Sequence, residues 1–169
     1  RELQGKTLGI VGAGELGMGV AKIAEAFGMD VIFAALPGRK HATQSNRIPF
    51  KELLAKADIL SLHCPLTEQT TKLIGAEELA LMKRSSILIN TSRGALVDEA
   101  ALKNALQQGE IAGAASDVLS VEPPVDGNVL LDTDIPNFIL TPHVAWIAKE
   151  ARQRLIEQVA GNVEAFLEG

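Results

Sequence analysis

Short apolar runs alternate along the chain with segments in which apolar residues recur at every third or fourth position. A short continuous apolar run bounded by turn residues is typical of a buried strand, whereas the longer spacing is typical of an amphipathic helix. The runs predict strands at residues 7–11, 30–35, 59–62, 86–90, 112–118 and 138–141. The spaced patterns predict helices at residues 15–27, 50–57, 77–82, 98–108 and 147–167.

Strand and helix patterns follow one another with short connections, which indicates a parallel sheet with helices on both faces. Right-handed crossovers leave few topologies, so we predict an α/β fold with the doubly wound parallel sheet of the Rossmann type. In the first helix the spacing predicts one apolar side, formed by Leu16, Val20, Ile23, Ala24 and Phe27.

The composition indicates one globular domain, because 169 residues with 47% hydrophobic content can bury a sizeable core. A formal net charge of −5 and an aromatic content of 4% argue against nucleic-acid binding, which needs basic stripes and stacking rings. Cys64 is the single cysteine. It excludes an internal disulfide and a cysteine-based zinc site, and we expect no metal.

The start of the chain carries no targeting segment that can be read from the sequence. No apolar run approaches the ~20 residues of a membrane span, and the residues after Arg1 contain no signal-peptide core. The first residue is also not Met. We therefore expect a cytoplasmic chain that is processed or is part of a longer protein.

A glycine-rich turn joins the first predicted strand to the first helix, with Gly12, Gly14 and Gly17 separated by the spacing of a dinucleotide-binding turn. The first glycine permits the tight turn, the second lets a pyrophosphate approach the backbone, and the third lets the helix pack closely. The helix N-terminus, with Glu15 and Leu16, offers free N–H groups to phosphate. The turn predicts dinucleotide binding, and a turn used only for close packing is the alternative.

The end of the second predicted strand bears on the choice of cofactor. An NAD-binding domain has an acidic residue there to hold the ribose hydroxyls, but this strand ends at Ala35. Arg39 and Lys40 follow, and a nearby arginine can receive a 2′-phosphate. The sequence favours NADP, or use of both NAD and NADP. The alternative is that the two basic residues are a solvated pair.

Four longer motifs occur in order after the glycine turn. They are Leu-His-Cys-Pro-Leu-Thr at 62–67, Ile-Asn-Thr-Ser-Arg-Gly at 89–94, Asp-Val-Leu-Ser-Val-Glu-Pro at 117–123 and Thr-Pro-His-Val-Ala-Trp at 141–146. With them, essentially the whole chain resembles the cofactor domain of the D-isomer-specific 2-hydroxyacid dehydrogenases. The proline-rich loop at 122–131 looks most similar to the hydroxypyruvate reductases, also called glycerate dehydrogenases.

The resemblance implies three catalytic residues. Arg93 would bind the substrate carboxylate and polarise its carbonyl, His143 would be the acid and base, and Glu122 would pair with His143. A planar guanidinium suits a carboxylate, and an imidazole can give and take a proton near neutrality. Each residue also has a simpler interpretation: Arg93 as a helix cap, His143 as a loop residue and Glu122 as a solvated side chain.

The resemblance also implies a cofactor-binding wall. Asp117 would contact the nicotinamide carboxamide, and its alternative is a turn-capping residue. Trp146 is expected to pack rather than to stack near the substrate, and Cys64 is expected to be a small buried residue rather than a nucleophile. The remaining residues of this wall, besides Arg93 and His143, are His63, Cys64, Pro65, Thr70, Thr91 and Ser92.

Family members carry a second, substrate-binding domain, so the resemblance implies that this domain is absent from residues 1–169. We expect the isolated domain to bind dinucleotide but to reduce 2-oxo acids poorly, and we expect a homodimer. The expected reaction is hydride transfer between NAD(P)H and hydroxypyruvate or glyoxylate, giving D-glycerate or glycolate. The alternatives are a dinucleotide-sensing regulatory module, or a relative that acts on formate, phosphite or another 2-hydroxy acid.

Overall fold

A computed structural model describes residues 2–36 and 47–169. The described residues contain seven strands and five α-helices. The strands are β1 Thr7–Val11, β2 Asp30–Ala35, β3 Arg47–Pro49, β4 Ile59–Leu62, β5 Ile87–Asn90, β6 Gly113–Ser116 and β7 Phe138–Leu140. The α-helices are α1 Glu15–Ala26, α2 Phe50–Lys56, α3 Ala76–Leu81, α4 Glu99–Gln107 and α5 Lys149–Glu168, and short 3-10 helices lie at Gly94–Leu96 and Val129–Leu131.

All seven strands pair in parallel in the order β3-β2-β1-β4-β5-β6-β7. The order extends in one direction from β1 to β3 and in the other from β4 to β7, which confirms the predicted doubly wound fold. The change of direction lies between β1 and β4. Ligands of such sheets bind outside the carboxyl ends of the strands at this point.

The core lies on both faces of the sheet. A larger cluster contains Leu53, Leu60, Leu79 and Leu102, and so includes side chains from α2, α3 and α4. The smaller cluster packs α1 against β1 and β2 and consists of Leu8, Ile10, Ala21, Ala24, Met29 and Phe33. These two layers fix the strand ends from which the site residues project.

The predicted apolar side of α1 is confirmed at Ala24, which is buried, and at Val20, which packs half-buried against the core, but it is wrong at Leu16, Ile23 and Phe27. Leu16, Ile23 and Phe27 are 78%, 61% and 60% exposed, whereas Gly17, Ala21 and Ala24 are buried. Close approach decides the orientation, because a Cβ built on Gly17 would lie 2.0 Å from the Gly12 carbonyl oxygen. A helix that packs this closely presents its smallest residues to the sheet.

Two further differences from the predicted elements concern short or exposed segments. Strand β3 has no signal in the sequence pattern, because Arg47 and Pro49 interrupt the apolar run. Helix α5 has no buried residue although its pattern is amphipathic, and it lies wholly within described residues 47–169. The helices in the described part of the chain include no candidate for a membrane span.

Candidate functional site

The predicted site residues lie beyond the carboxyl ends of the parallel strands, which meet at one edge of the sheet. Arg39 and Lys40 fall outside the described residues. The others follow successive strands: Gly12 to Gly17 after β1, Ala35 at the end of β2, His63 to Pro65 after β4, Thr91 to Arg93 after β5, Asp117 and Glu122 after β6, and His143 after β7.

Two glycines of the turn after β1 are required by close contact. Gly12 has φ +107°, and a Cβ there would lie 2.5 Å from the carbonyl carbon of His63. Gly17 is held against the carbonyl oxygen of Gly12, as described above. Any side chain at either position would force the backbones of β1, α1 and the β4 end apart.

Gly14 differs from its neighbours, because no heavy atom of the described residues lies within 4 Å of a Cβ built on it. It is the N-cap of α1, and the first N–H groups of a helix have no acceptors within that helix. Such a terminus attracts anions through its free donors and its dipole. The turn therefore fits a dinucleotide pyrophosphate approaching over Gly14.

The end of β2 carries no carboxylate, because the strand ends at Ala35 and Leu36 follows it. A cation lies beside it instead: Arg47 of β3 donates from Nη1 to the carbonyl oxygen of Ala34 at 3.2 Å. Sequence reasoning missed Arg47 because it missed β3. A guanidinium beside a strand that ends in Ala35 rather than in a carboxylate is compatible with a phosphorylated ribose.

The ends of β4 and β5 are tied together. Ser92 donates from Oγ to the Cys64 carbonyl oxygen at 2.8 Å, and Cys64 itself is 1% exposed, as expected of a small buried residue. The ring Nε2 of His63 lies 2.9 Å from Ser61 Oγ. Burial lowers the His63 pKa, which favours the neutral ring.

Thr70 supports the adjacent turn from within. Its side chain is buried, its Oγ1 donates to the Pro65 carbonyl oxygen at 2.8 Å, and it accepts from the Thr67 N–H at 2.8 Å. The hydroxyl group is therefore used inside the turn, and Thr70 shapes the predicted cofactor wall through the backbone at Pro65. Its direct contact with a cofactor stays a prediction.

Arg93 is exposed and occupies the N-cap position of the short helix that follows β5, but its side chain makes no capping bond there. Its Nη1 donates to the Ser92 carbonyl oxygen at 2.7 Å. Asn90 holds the surrounding backbone, because its Nδ2 donates to the Arg93 carbonyl at 3.0 Å and its Oδ1 accepts from Ser92 N at 3.1 Å. The backbone under the guanidinium is thus fixed while the side chain faces solvent.

Gly94 brings the Arg93 segment directly against the loop that carries Glu122. A Cβ on Gly94 would lie 1.9 Å from the carbonyl carbon of Leu119 and 2.3 Å from the N atom of Ser120. The two backbones touch here. The positions of Arg93 and Glu122 are therefore coupled through one tight contact.

Glu122 and His143 form the pair that the sequence analysis expects. His143 Nδ1 lies 2.6 Å from Glu122 Oε2, and the other oxygen, Oε1, accepts from the Leu119 N–H at 2.7 Å. Burial by itself would raise the Glu122 pKa, but the hydrogen bonds from Leu119 and His143 outweigh it, so the pKa lies below its ordinary value. Glu122 is therefore an ionised acceptor at neutral pH.

Asp117 is the buried carboxylate that shapes the turn around His143. Its Oδ1 accepts from Val144 N at 2.9 Å and from the Thr141 hydroxyl, and its Oδ2 accepts from Ala145 N at 2.8 Å. The turn needs this support because His143 has φ +54°, a conformation that side chains rarely adopt. The contacts are those of a turn-capping aspartate, and the contact with nicotinamide stays a prediction.

Burial alone would raise the Asp117 pKa as well. The hydrogen bonds from Thr141, Val144 and Ala145 and the nearby His143 reverse this effect, so the pKa lies below its ordinary value. Both carboxylates around His143 are consequently charged at neutral pH.

One side of the Glu122–His143 pair borders a cavity of about 440 Å³. Its wall is mainly apolar and is formed by Leu119, Pro123, Pro124, Leu131, Leu140, Thr141 and Pro142 besides the pair itself. Trp146 lies next to this turn, is 55% exposed and donates from Nε1 to the His143 carbonyl oxygen at 2.9 Å. The indole is therefore held against the turn by this bond, and the expectation that it packs rather than stacks near the substrate stays a prediction.

No group of three or more His, Cys, Asp or Glu side chains that could hold a metal ion occurs in the described ranges. Sequence reasoning missed Glu99 and Asn128, whose side chains bind the loop that carries Glu122. Asn128 has a detectable local signal, since its Oδ1 accepts from Leu130 N at 2.9 Å as an N-cap. The contact between Glu99 and Asn128 spans residues far apart in sequence and has no local signal.

Comparison with known proteins gives the family. The profile of the D-isomer specific 2-hydroxyacid dehydrogenase NAD binding domain matches residues 1–145. The glycerate dehydrogenase of Methylorubrum extorquens is 53% identical over 169 residues, which cover 99% of this chain and 52% of that protein. The chain therefore spans about half the length of the curated relatives it matches.

Two solved structures show the same fold with different cofactors. An acyclic imino acid reductase in complex with NADPH and D-Arg is 37% identical, with a TM-score of 0.84 over 99% of this chain and 53% of that one. The D-lactate dehydrogenase of Aquifex aeolicus, complexed with NAD and lactic acid, is 34% identical, with a TM-score of 0.83 over 100% of this chain and 55% of that one. The sequence profile, the identities and the parallel sheet agree: the chain belongs to the D-isomer-specific 2-hydroxyacid dehydrogenase family and is an NAD(P)-binding domain of that family.

Proposed function

We propose that this domain serves an enzyme that transfers hydride between NAD(P)H and a small 2-oxo acid. The proposed substrates are hydroxypyruvate and glyoxylate, reduced to D-glycerate and glycolate. One observation carries the proposal: Arg93 and the hydrogen-bonded Glu122–His143 pair follow three adjacent strands at the same sheet edge as the glycine turn. The glycerate dehydrogenase relative supports the substrate class.

When bound, the nicotinamide cofactor supplies the hydride. Arg93 is suited to bind the substrate carboxylate, because a guanidinium offers two parallel N–H groups to two oxygens. Its exposed position after β5 leaves the side chain accessible from the sheet edge. The adjacent backbone is fixed by Asn90, which limits the loss of entropy when the side chain binds.

His143 is suited to exchange the proton that accompanies hydride transfer. Because Nδ1 faces the ionised Glu122, the proton on Nδ1 is held there, and Nε2 is the nitrogen left to serve the substrate oxygen. Glu122 also fixes the orientation of the ring, because its Oε2 accepts from Nδ1. General acid catalysis of this kind contributes ~10²–10⁴ in rate.

For the cofactor we propose a preference for NADP, or use of both dinucleotides. The absence of a carboxylate at Ala35 removes a group that would repel a 2′-phosphate. Arg47 adds a guanidinium beside the end of β2, and Arg39 and Lys40 supply further positive charge in the sequence after it. The solved neighbours include one with NADPH and one with NAD.

Substrate reduction in this family uses a second domain, and we propose that the protein in its natural length brings such a domain to this edge. We also propose a homodimer. Residues 1–169 are expected to bind the dinucleotide and to reduce 2-oxo acids poorly. Substantial turnover of hydroxypyruvate by residues 1–169 alone would contradict the division into two domains.

The test of the proposed function is reduction of hydroxypyruvate and glyoxylate by the protein in its natural length, followed through NADPH and NADH absorbance. Arg93→Ala and His143→Ala should each lower kcat/KM by ~10²-fold or more. Lys51→Ala, an exposed change on α2, is the matched control. Unchanged activity in both site variants would refute the proposed roles. Retained partner binding without any turnover would favour the dinucleotide-sensing alternative.

A further inference from the structure

The first turn of α4 carries a carboxylate that binds the loop after β6. Glu99 Oε1 accepts from the Ser120 N–H at 2.8 Å. Its Oε2 accepts from the Ser120 hydroxyl at 2.5 Å and from Asn128 Nδ2 at 2.8 Å. Glu99 is half-buried, so these three donors occupy a carboxylate that is partly shielded from water.

These bonds close the loop at both of its ends. Ser120 stands at its start and Asn128 at its end, and the segment between them carries Glu122. Asn128 is itself fixed, because its Oδ1 accepts from Leu130 N at 2.9 Å and begins the short helix there. A loop joined at both ends by one side chain has less conformational freedom than one joined at its strand ends alone.

Two carboxylates hold consecutive N–H groups at the start of the loop. Glu122 Oε1 accepts from Leu119 N at 2.7 Å, and Glu99 Oε1 accepts from Ser120 N. The same two backbone residues are in contact with Gly94, next to Arg93. The position of Glu122 relative to Arg93 and His143 is therefore determined at Leu119 and Ser120, where Glu99 acts.

We propose that Glu99 is a positioning residue that holds Glu122 where its carboxylate can bind His143. The inference rests on the proposed function, because it gives Glu99 a part in the same reaction. Glu99 acts through the loop backbone. The charged groups that act on Glu122 are His143 and Asp117.

The donor pattern allows a test by exchange of hydrogen-bonding groups. In Glu99→Gln, an amide N–H₂ replaces Oε2 and faces the N–H₂ group of Asn128, so two donors meet. In Asn128→Asp, two carboxylates meet instead. In the double variant Glu99→Gln/Asn128→Asp the amide of residue 99 donates to the new carboxylate and to the Ser120 hydroxyl, and the bonds are restored with reversed polarity.

The measurement is made on residues 1–169 without cofactor. The Glu122 carboxyl carbon is followed by ¹³C NMR against pH, and the Leu119 and Ser120 amides are followed by hydrogen exchange. In each single variant we expect the Glu122 pKa to rise toward its ordinary value, because its bonds to Leu119 and His143 loosen. We also expect the two amides to exchange about tenfold faster. The double variant should restore both readouts.

Glu77→Gln is the matched control, because Glu77 lies in the first turn of α3 and tests any general helix-dipole effect. Ser120→Ala removes only the hydroxyl contact and gives a milder variant should Glu99→Gln fail to fold. An unchanged Glu122 titration in folded single variants would overturn the proposal. An equal shift in Glu77→Gln, or no restoration in the folded double variant, would also overturn it. Reduction of hydroxypyruvate by the unmodified protein in its natural length, measured separately, tests the proposed function independently.

Discussion

Replacing Asp117 tests how much of the site depends on one buried carboxylate. The side chain is 4% exposed and accepts from Val144 N, Ala145 N and the Thr141 hydroxyl. Asp117→Ala removes all three bonds while His143 still has to adopt φ +54°. The turn at 141–145 should then open, and the Glu122–His143 bond should be lost with it.

The magnitude follows from the bonds that are lost. A hydrogen bond to a charged acceptor contributes about 1.5–3 kcal/mol, and a donor left unpaired in the protein costs about 1–3 kcal/mol. Ala145 is exposed and Val144 half-buried, so water replaces part of what is lost. We therefore expect the free energy of unfolding to fall by about 2–4 kcal/mol at neutral pH.

The effect should depend on pH in a defined direction. The Asp117 pKa is lower in the folded chain than its ordinary value of 3.8. The ionised group therefore stabilises the fold fully above that ordinary value, and this contribution is lost as pH falls through the folded pKa. The difference in stability between the unmodified chain and Asp117→Ala should shrink only at acidic pH below the ordinary value.

The assay is urea unfolding at several pH values, together with hydrogen exchange of the Val144 and Ala145 amides. Asp126→Ala, an exposed change in the same region of the chain, is the control and should alter stability by less than about 0.5 kcal/mol. Equal stability of Asp117→Ala and the control at neutral pH would show that the Asp117 hydrogen bonds do not stabilise the turn. A difference that grows as the pH is lowered would contradict the expected pH dependence.

Three other predictions concern single contacts. Gly94→Ala should destabilise the chain by more than ~2 kcal/mol in urea unfolding, because the added Cβ meets the backbone of Leu119; a neutral effect would contradict the close contact. Arg47→Gln should weaken NADPH binding by about tenfold in a fluorescence titration while changing NADH binding little; equal loss for both would exclude recognition of the 2′-phosphate by Arg47. Gly12→Ala should prevent dinucleotide binding at every concentration at which the unmodified chain is saturated, and retained affinity would exclude this turn as the binding site.

Much of the fold can be predicted from the sequence where a buried apolar run is bounded by turn or capping residues. The runs at Thr7–Val11, Asp30–Ala35 and Ile59–Leu62 match the observed strands, because strands buried on both faces are continuously apolar. The start of α4 is also readable, because the predicted helix over residues 98–108 begins at Asp98, an N-cap residue type whose side chain accepts from Ala101 N at 3.1 Å in the structure. Local chemistry determines each of these features.

The parts that were not predicted depend on close approach or on distant residues. The buried side of α1 follows from the absence of side chains at Gly12 and Gly17, which the apolar spacing does not measure. The same holds within the site: the motifs identify Glu122 and His143, but the part played by Glu99 depends on a contact with Asn128 across 29 positions. Such contacts form only when the fold brings distant segments together, so the sequence carries no local signal for them.

The exposed residues of α1 and α5 show a further limit of pattern reading. Leu16 and Phe27 look like core residues because the spacing is helical, yet both lie at the surface. Helix α5 likewise has no buried residue over its whole length. A hydrophobic stripe predicts that a surface is available for burial, and it does not specify what lies against it.

The proposed function requires a bound dinucleotide to lie along the sheet edge from Gly14 to His143. Its most direct test is an NMR measurement on residues 1–169 saturated with NADPH and, separately, with NADH. We expect nuclear Overhauser effects between the nicotinamide protons and the His143 ring, together with shifts of the first-turn amides of α1. Shifts at α1 with no contact between nicotinamide and His143 would contradict this placement of the dinucleotide.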